Sequence, residues 1–154
     1  MSPRIPLLLF GLAMLMSGCD FITGKEVARL AVDRVSTATE RHPQEATLML
    51  EAQDQIAVWS DMDLTYDGDM DLLFVVEVLR DSVPIEQLRI DPSVMNITVR
   101  ERMTVKNGRT ERSYNAKHEV LKVDTDGRYT FRAVLLASDT SGLRINKAQL
   151  VLRR

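Results

Sequence analysis

From residue 47 onward, apolar side chains recur at every second position, and this period of two constrains the fold more than any other feature of the sequence. Residues alternate in this way when one face of a β-strand packs on a core and the other face meets solvent. Tight turns are indicated by three pairs that end in glycine, Asp67-Gly68, Asn107-Gly108 and Asp126-Gly127. The pattern predicts a mainly β, antiparallel structure.

The alternating segments number six to seven, which favours an antiparallel β-sandwich or a strongly curled sheet over a barrel. Asp54 and Ser60 interrupt the first strand, so we expect a bend or bulge there, or a helical turn over residues 44–52. The Asp67-Gly68 pair predicts a hairpin, and residues 81–93 predict a crossover between sheets that includes a short strand. A parity shift near Asn146 predicts a β-bulge.

One N-terminal α-helix is predicted before these strands. Thr23 and Glu26 fit a capping box, and Ile22 with Val27 fits a hydrophobic staple. The apolar residues then follow helical spacing as far as Pro43, which ends the helix. We expect this helix either to pack on the sheet or to lie along a membrane surface.

The chain opens with a segment typical of an export signal. One basic residue, Arg4, precedes an apolar run over residues 5–16, which is too short to span a bilayer. Ser17 and Gly18 come directly before Cys19, the only cysteine in the chain. This arrangement resembles the lipobox of bacterial lipoproteins, which implies cleavage before Cys19 and its lipidation. The alternative, a non-lipidated signal cut elsewhere, would leave an unpaired thiol in an oxidising compartment.

Asp20 carries a second implication of the same resemblance. An aspartate directly after the lipidated cysteine resembles the sorting signal that retains enteric lipoproteins in the inner membrane. It implies a lipid anchor on the periplasmic face of the inner membrane, with the inner leaflet of the outer membrane as the alternative. We therefore divide the chain into a signal peptide (1–18), a lipid anchor with the helix (19–43) and one β-rich periplasmic domain (44–154).

Charge is unevenly distributed along the chain. Residues 20–95 contain six basic and sixteen acidic residues, whereas residues 96–154 contain thirteen basic and six acidic ones. Neighbouring strands of opposite sign could neutralise one another. Alternatively, the basic residues form a docking surface for an acidic partner, anionic lipid or cell wall. The basic candidates for partner binding are Arg100, Arg102, Lys106, Arg128 and Arg132.

Aromatic and catalytic residues give weaker indications. Trp59 lies on the polar parity of its strand and is expected either to bind a partner or to be covered by the predicted helix. His42 is expected in a loop, and His118 in a sheet with its hydrogen bonds satisfied. The sequence contains no nucleophile elbow, zinc-binding pair or glycine-rich phosphate loop. We therefore predict neither a metal nor a cofactor.

These observations predict a non-enzymatic, membrane-anchored lipoprotein that binds a protein partner in an envelope or secretion complex. Two alternatives remain open from sequence: a periplasmic immunity or inhibitor lipoprotein, and an envelope enzyme. Nucleic acid is not an expected partner, because the protein is expected to be exported. A membrane is expected only through the N-terminal lipid.

Overall fold

The computed structural model describes residues 23–154, which form nine β-strands in two antiparallel sheets. The strands are β1 (Glu26–Ala31), β2 (Gln44–Leu50), β3 (Gln55–Asp67), β4 (Leu72–Arg80), β5 (Val83–Ile90), β6 (Ile97–Lys106), β7 (Arg109–Lys122), β8 (Gly127–Ala137) and β9 (Arg144–Arg153). Sheet A has the strand order β1-β9-β3-β7-β6, and sheet B has the order β2-β8-β4-β5. The predicted mainly β, antiparallel architecture is confirmed, but the predicted number of six to seven strands is too low.

One apolar core lies between the two sheets. Sheet A contributes alternate residues of β3 such as Ile56 and Met62, and sheet B contributes Phe74 of β4 and Phe131 of β8, all of them fully buried. Burying such side chains contributes about 1.5–3 kcal/mol each. This burial explains the period of two, because each of these strands turns one face to the core and the other away from it.

The predicted helix over residues 23–42 is wrong where the structure describes this segment, because Glu26–Ala31 is strand β1. The strand pairs with β9, and the backbone of Lys25 bonds reciprocally with that of Arg154 at 2.8 and 2.9 Å. The capping pattern is a local preference, whereas pairing with β9 satisfies a whole row of backbone groups. The sandwich therefore includes residues upstream of residue 44.

The predicted hairpin at Asp67-Gly68 is also wrong. Gly68 has the expected positive φ of 67°, but β3 lies in sheet A and β4 in sheet B, so this turn connects the two sheets. The single strand predicted over residues 47–66 is in fact β2 and β3, which likewise belong to different sheets. Residues 44–50 are strand rather than a helical turn.

Two other turn and bulge predictions are confirmed, whereas the crossover between sheets predicted over residues 81–93 is wrong at β5, because β4 and β5 pair within sheet B. Asn107 and Gly108 have φ values of 54° and 77° and form the two-residue hairpin turn between β6 and β7. Opposite β3, Asp63 pairs with Lys147 and the next residue pairs with Ile145, so Asn146 is the extra residue of the predicted bulge. Both features follow from local sequence signals.

Candidate functional site

Strand β6 forms one edge of sheet A and is the most exposed strand of the described chain, since all ten of its residues are exposed. It pairs with β7 on one side only, along the whole length of the β6–β7 hairpin. Its large apolar side chains are between 51% and 60% exposed, namely Ile97, Val99, Met103 and Val105. Four large apolar side chains exposed on one strand exceed the singly scattered ones that are normal on a protein surface.

A bulge at Val99 determines which side chains of β6 share a face. Ile97 pairs with Lys117, whereas Arg100 pairs with Asn115, so the register shifts by one residue between them. Residues after the bulge alternate, with Met103 and Val105 on the face that continues the core side of β7. The one-sided strand expected from sequence is therefore interrupted by the bulge, and its apolar face is exposed rather than buried.

The opposite, outer face of β6 carries what we call the basic row, defined as Arg100, Arg102 and Lys106. Arg100 Nη2 lies 3.9 Å from Asp61 Oδ1, a distant ion pair. Within residues 23–154, neither Arg102 nor Lys106 forms an ion pair with an acidic side chain. The basic row therefore keeps most of its positive charge available to a ligand.

Arg128 and Arg132 do not join this row. They lie on β8 of sheet B, with side chains on the outer face of that sheet, whereas the basic row lies on the outer face of sheet A. Arg132 forms ion pairs with Glu45 of β2 and Glu77 of β4, which flank it on either side. Here the charges of neighbouring strands neutralise each other, as one of the two sequence interpretations expects.

Asp61 organises the centre of the outer face of sheet A. Its carboxylate is only 12% exposed and lies 3.4 Å from Arg29 of β1 and 3.4 Å from Lys147 of β9. With the more distant Arg100, three cations from three different strands surround this one carboxylate. The negative charge of Asp61 is thus neutralised by cations on the surrounding strands of sheet A.

Trp59 is not a surface aromatic, because only 2% of it is exposed. The Arg153 guanidinium lies 5.1 Å from the centre of its ring, a cation–π contact. Of the segment predicted to form the covering helix, Glu26–Ala31 is a strand, and residues 24–154 contain no helix that could cover Trp59. Its Nε1 is buried without a hydrogen-bond partner in the described structure. Burial removes Trp59 from the set of candidate docking residues.

His118 is buried and hydrogen-bonded at both ring nitrogens. Nδ1 lies 2.9 Å from the Val94 carbonyl, which can only accept, so Nδ1 carries the proton and donates. Nε2 lies 2.7 Å from Ser60 Oγ and accepts from that hydroxyl. Burial lowers the pKa of His118, and this outweighs the opposing effects of the Val94 carbonyl and of the Glu119 and Asp91 carboxylates. The prediction of a satisfied sheet histidine is confirmed.

The Ser60–His118 pair lacks the geometry of a nucleophile and its base. Ser60 is completely buried, and in the described structure His118 Nδ1 bonds a backbone carbonyl instead of an orienting carboxylate. An open groove of about 210 Å³ lies beside the imidazole, next to Val94 and Asn96. The pair therefore positions β7 against β3 and the loop before β6.

The remaining residues singled out from sequence, Cys19 and Asp20, lie outside the described residues. From Thr23 onward, no helix is long and apolar enough to cross a membrane. Across the same residues, no group of three or more His, Cys, Asp or Glu side chains is arranged to hold a metal ion. The exposed edge strand β6 is therefore the candidate functional site among the described residues.

No protein-family model matches the chain, and no curated protein matches it in sequence.

Proposed function

We propose that this chain is a lipid-anchored periplasmic protein without catalytic activity, which binds a protein partner in an envelope or secretion complex. The exposed edge strand β6 carries this proposal. It combines four exposed apolar side chains with three basic ones on a single strand that is paired on one side only. Exposed apolar surface bordered by charge is typical of protein–protein interaction sites.

The complete burial of Ser60 supports a binding role over catalysis, since no substrate could reach its hydroxyl without local unfolding. The charge of the basic row favours an acidic partner, which such a surface attracts over long range. An anionic partner surface would also compensate the two cations of the row that lack ion pairs in the described structure.

The lipid anchor is supported by the lipobox resemblance around Cys19 and by the short path from it to the fold. Only residues 20–22 separate Cys19 from the first described residue, Thr23. Four peptide steps span at most about 14 Å. An acyl chain at Cys19 would hold the sandwich directly against the bilayer. In this proposal Asp20 retains the protein in the inner membrane.

The anchor is tested by labelling cells with palmitate. The wild-type chain is expected to incorporate label and to sediment with membranes, since multiple acyl chains at about 0.8 kcal/mol per buried methylene make attachment effectively permanent. Cys19→Ala is expected to lose the label, to become soluble and to keep its urea midpoint, because the strands begin at Glu26. An unlabelled wild-type protein, or a fully functional soluble variant, would refute the anchored function.

Partner binding is tested with a photocrosslinking amino acid placed at Val105 of β6 or, as a matched control, at Met49 of β2. Both positions are well exposed, at 60% and 71% respectively, but they lie in different sheets. A discrete crosslinked protein is expected from Val105 in intact membranes and not from Met49. Adducts from Met49 alone would support a binding function but show that β6 is not the binding site. Absence of adducts at both positions would contradict the binding function.

A further inference from the structure

We propose that the open edge of β6 accepts an extended, acidic segment of a partner protein as an additional strand of sheet A. This inference rests on the proposed protein-binding function and specifies its mode and the chemistry of the partner. An added strand gains affinity from main-chain hydrogen bonds and specificity from alternate side chains. β6 offers both.

The free edges of the two sheets differ in how well they could accept a strand. β1 and β2, at one side of the sandwich, contact each other. β5, the free edge of sheet B, contains Pro84, which lacks an N–H donor and protects an edge against pairing. β6 has ten residues and contains neither proline nor glycine. Among the strands of the described chain, β6 is thus the best template for another strand.

The side chains of β6 specify what would pair with it. After the bulge, the outer face presents the basic row, and the inner face presents Met103 and Val105. Glu101, the only acidic residue of the strand, is held by Arg112 of β7 at 2.8 Å, so its charge is matched within the hairpin. An incoming strand with acidic residues on one face and apolar residues on the other complements both faces.

Charge argues against a second copy of the same strand as the occupant. Two β6 strands paired antiparallel in one continuous sheet would place both basic rows on the same outer face. Arg100, Arg102 and Lys106 of each copy would then lie beside the three cations of the other. Like charges on neighbouring strands are destabilising. With an acidic segment in place of the second copy, each of these contacts would join opposite charges.

The test uses the full chain, purified in a mild detergent, and two synthetic nine-residue peptides. One peptide alternates glutamate with valine, and the counter-probe alternates lysine with valine. Binding is followed by fluorescence anisotropy, and the site is located by hydrogen–deuterium exchange of the β6 amides. We expect saturable binding of the acidic peptide alone, with added protection along β6.

Charge-reversal variants provide the matched comparison. Arg102→Glu is expected to weaken binding of the acidic peptide by about tenfold, because it replaces an opposite-charge pair with a like-charge pair. Arg128→Glu changes the net charge equally on the outer face of sheet B and is expected to bind like the wild type. Binding is also expected to weaken as salt is added.

Three results would overturn the inference: no added protection on β6, equal protection by the lysine peptide, or equal loss of affinity in both variants. A peptide-free dimer with β6 protected would identify a second copy as the occupant and would also overturn it. A negative result in the peptide test does not change the photocrosslinking result at Met49 or the palmitate labelling, which test partner binding and the lipid anchor separately. A failure of the proposed function is thereby distinguishable from a failure of strand addition.

Discussion

At the scale of single residues, the buried histidine gives the fold a defined pH dependence. Because burial lowers the pKa of folded His118, the unfolded state binds the proton more readily. The contribution of His118 to stability is therefore fully present above its unfolded pKa of about 6.5 and is lost as the pH falls below that value.

We therefore expect the wild-type free energy of unfolding to fall more steeply than that of His118→Gln between about pH 8 and about pH 5. Urea titrations at both pH values measure the difference. Other titrating groups are common to both proteins and cancel in the comparison. Parallel pH profiles for the two proteins would contradict the proposed neutral state of the buried imidazole.

Asp61 is the second residue with a testable energetic role. Asp61→Asn is expected to destabilise the protein by about 1–2 kcal/mol, because it leaves Arg29 and Lys147 without their shared carboxylate in a partly shielded site. Added salt is expected to reduce this difference. Urea unfolding at low and high salt provides the measurement.

The matched control is Asp63→Asn, two residues further along the same face. Asp63 accepts one hydrogen bond from Asn146 at 3.2 Å and forms no ion pair in the described structure. Its substitution is expected to change stability by less than about 0.5 kcal/mol. Equal losses for the two variants would show that the ring of cations around Asp61 contributes nothing specific.

At the scale of elements, β1 is the strand whose formation contradicts its local sequence. A Cβ at Gly24 would lie 2.9 Å from the Arg154 carbonyl oxygen, and φ there is 74°. At Gly108 φ is 77°, but an added Cβ meets nothing within 4 Å. Of these two glycines, only Gly24 combines a positive φ with a close approach to another backbone segment, that of Arg154 directly after β9.

Gly24→Ala and Gly108→Ala should both lose about 1–2 kcal/mol from the positive φ alone. Gly24→Ala is expected to lose more, since the new methyl group must displace the backbone of Arg154. Thermal and urea unfolding of both variants measure the difference. A helix starting at Thr23 would instead be stabilised by alanine at position 24, so a gain in stability would refute the strand.

The apolar residues of β6 provide a second prediction about an element. Val105→Ala is expected to change the free energy of unfolding by less than about 0.5 kcal/mol, since this side chain is largely exposed. Val78→Ala in β4, which is fully buried, is expected to cost about 2 kcal/mol. A comparable loss in both variants would mean that β6 is covered in the folded chain.

The sequence predicted the features of these elements that depend on nearby residues. The turn at Asn107-Gly108, the bulge at Asn146 and the buried parity of β3 all follow from local patterns. The pairing of β1 with β9 and the change of sheet after Asp67 depend on residues far away in the chain. Local sequence signals therefore gave wrong predictions for the pairing of β1 and for the change of sheet.

The candidate site was likewise predictable only in the features that depend on nearby residues. The alternation of apolar and basic residues on β6 is evident from sequence, and it correctly placed Arg100 and Arg102 on one face. It could not reveal that β6 ends the sheet, and so the apolar residues were expected to be buried. The same limitation grouped Arg128 and Arg132 with the basic row, although strand order puts them on the other sheet.

At the scale of the whole molecule, the strand order distributes charge between two outer faces. Strands of the acidic first part of the chain alternate in space with strands of the basic second part, as in the order β9-β3-β7. Ion pairs such as Arg109 with Asp67 and Arg154 with Asp54 join the two parts. The uneven charge of the two parts of the chain is thereby largely neutralised, whereas most of the charge of the basic row, at the edge of sheet A, is not.

The position of β9 has a consequence for the order in which the chain can fold. β9 lies between β1 and β3, so sheet A cannot connect these two strands before Arg144–Arg153 has been synthesised. A chain synthesised from its N-terminus leaves one edge of the long β3 unfilled until then. Such an unpaired strand edge is prone to aggregate in a partly folded chain.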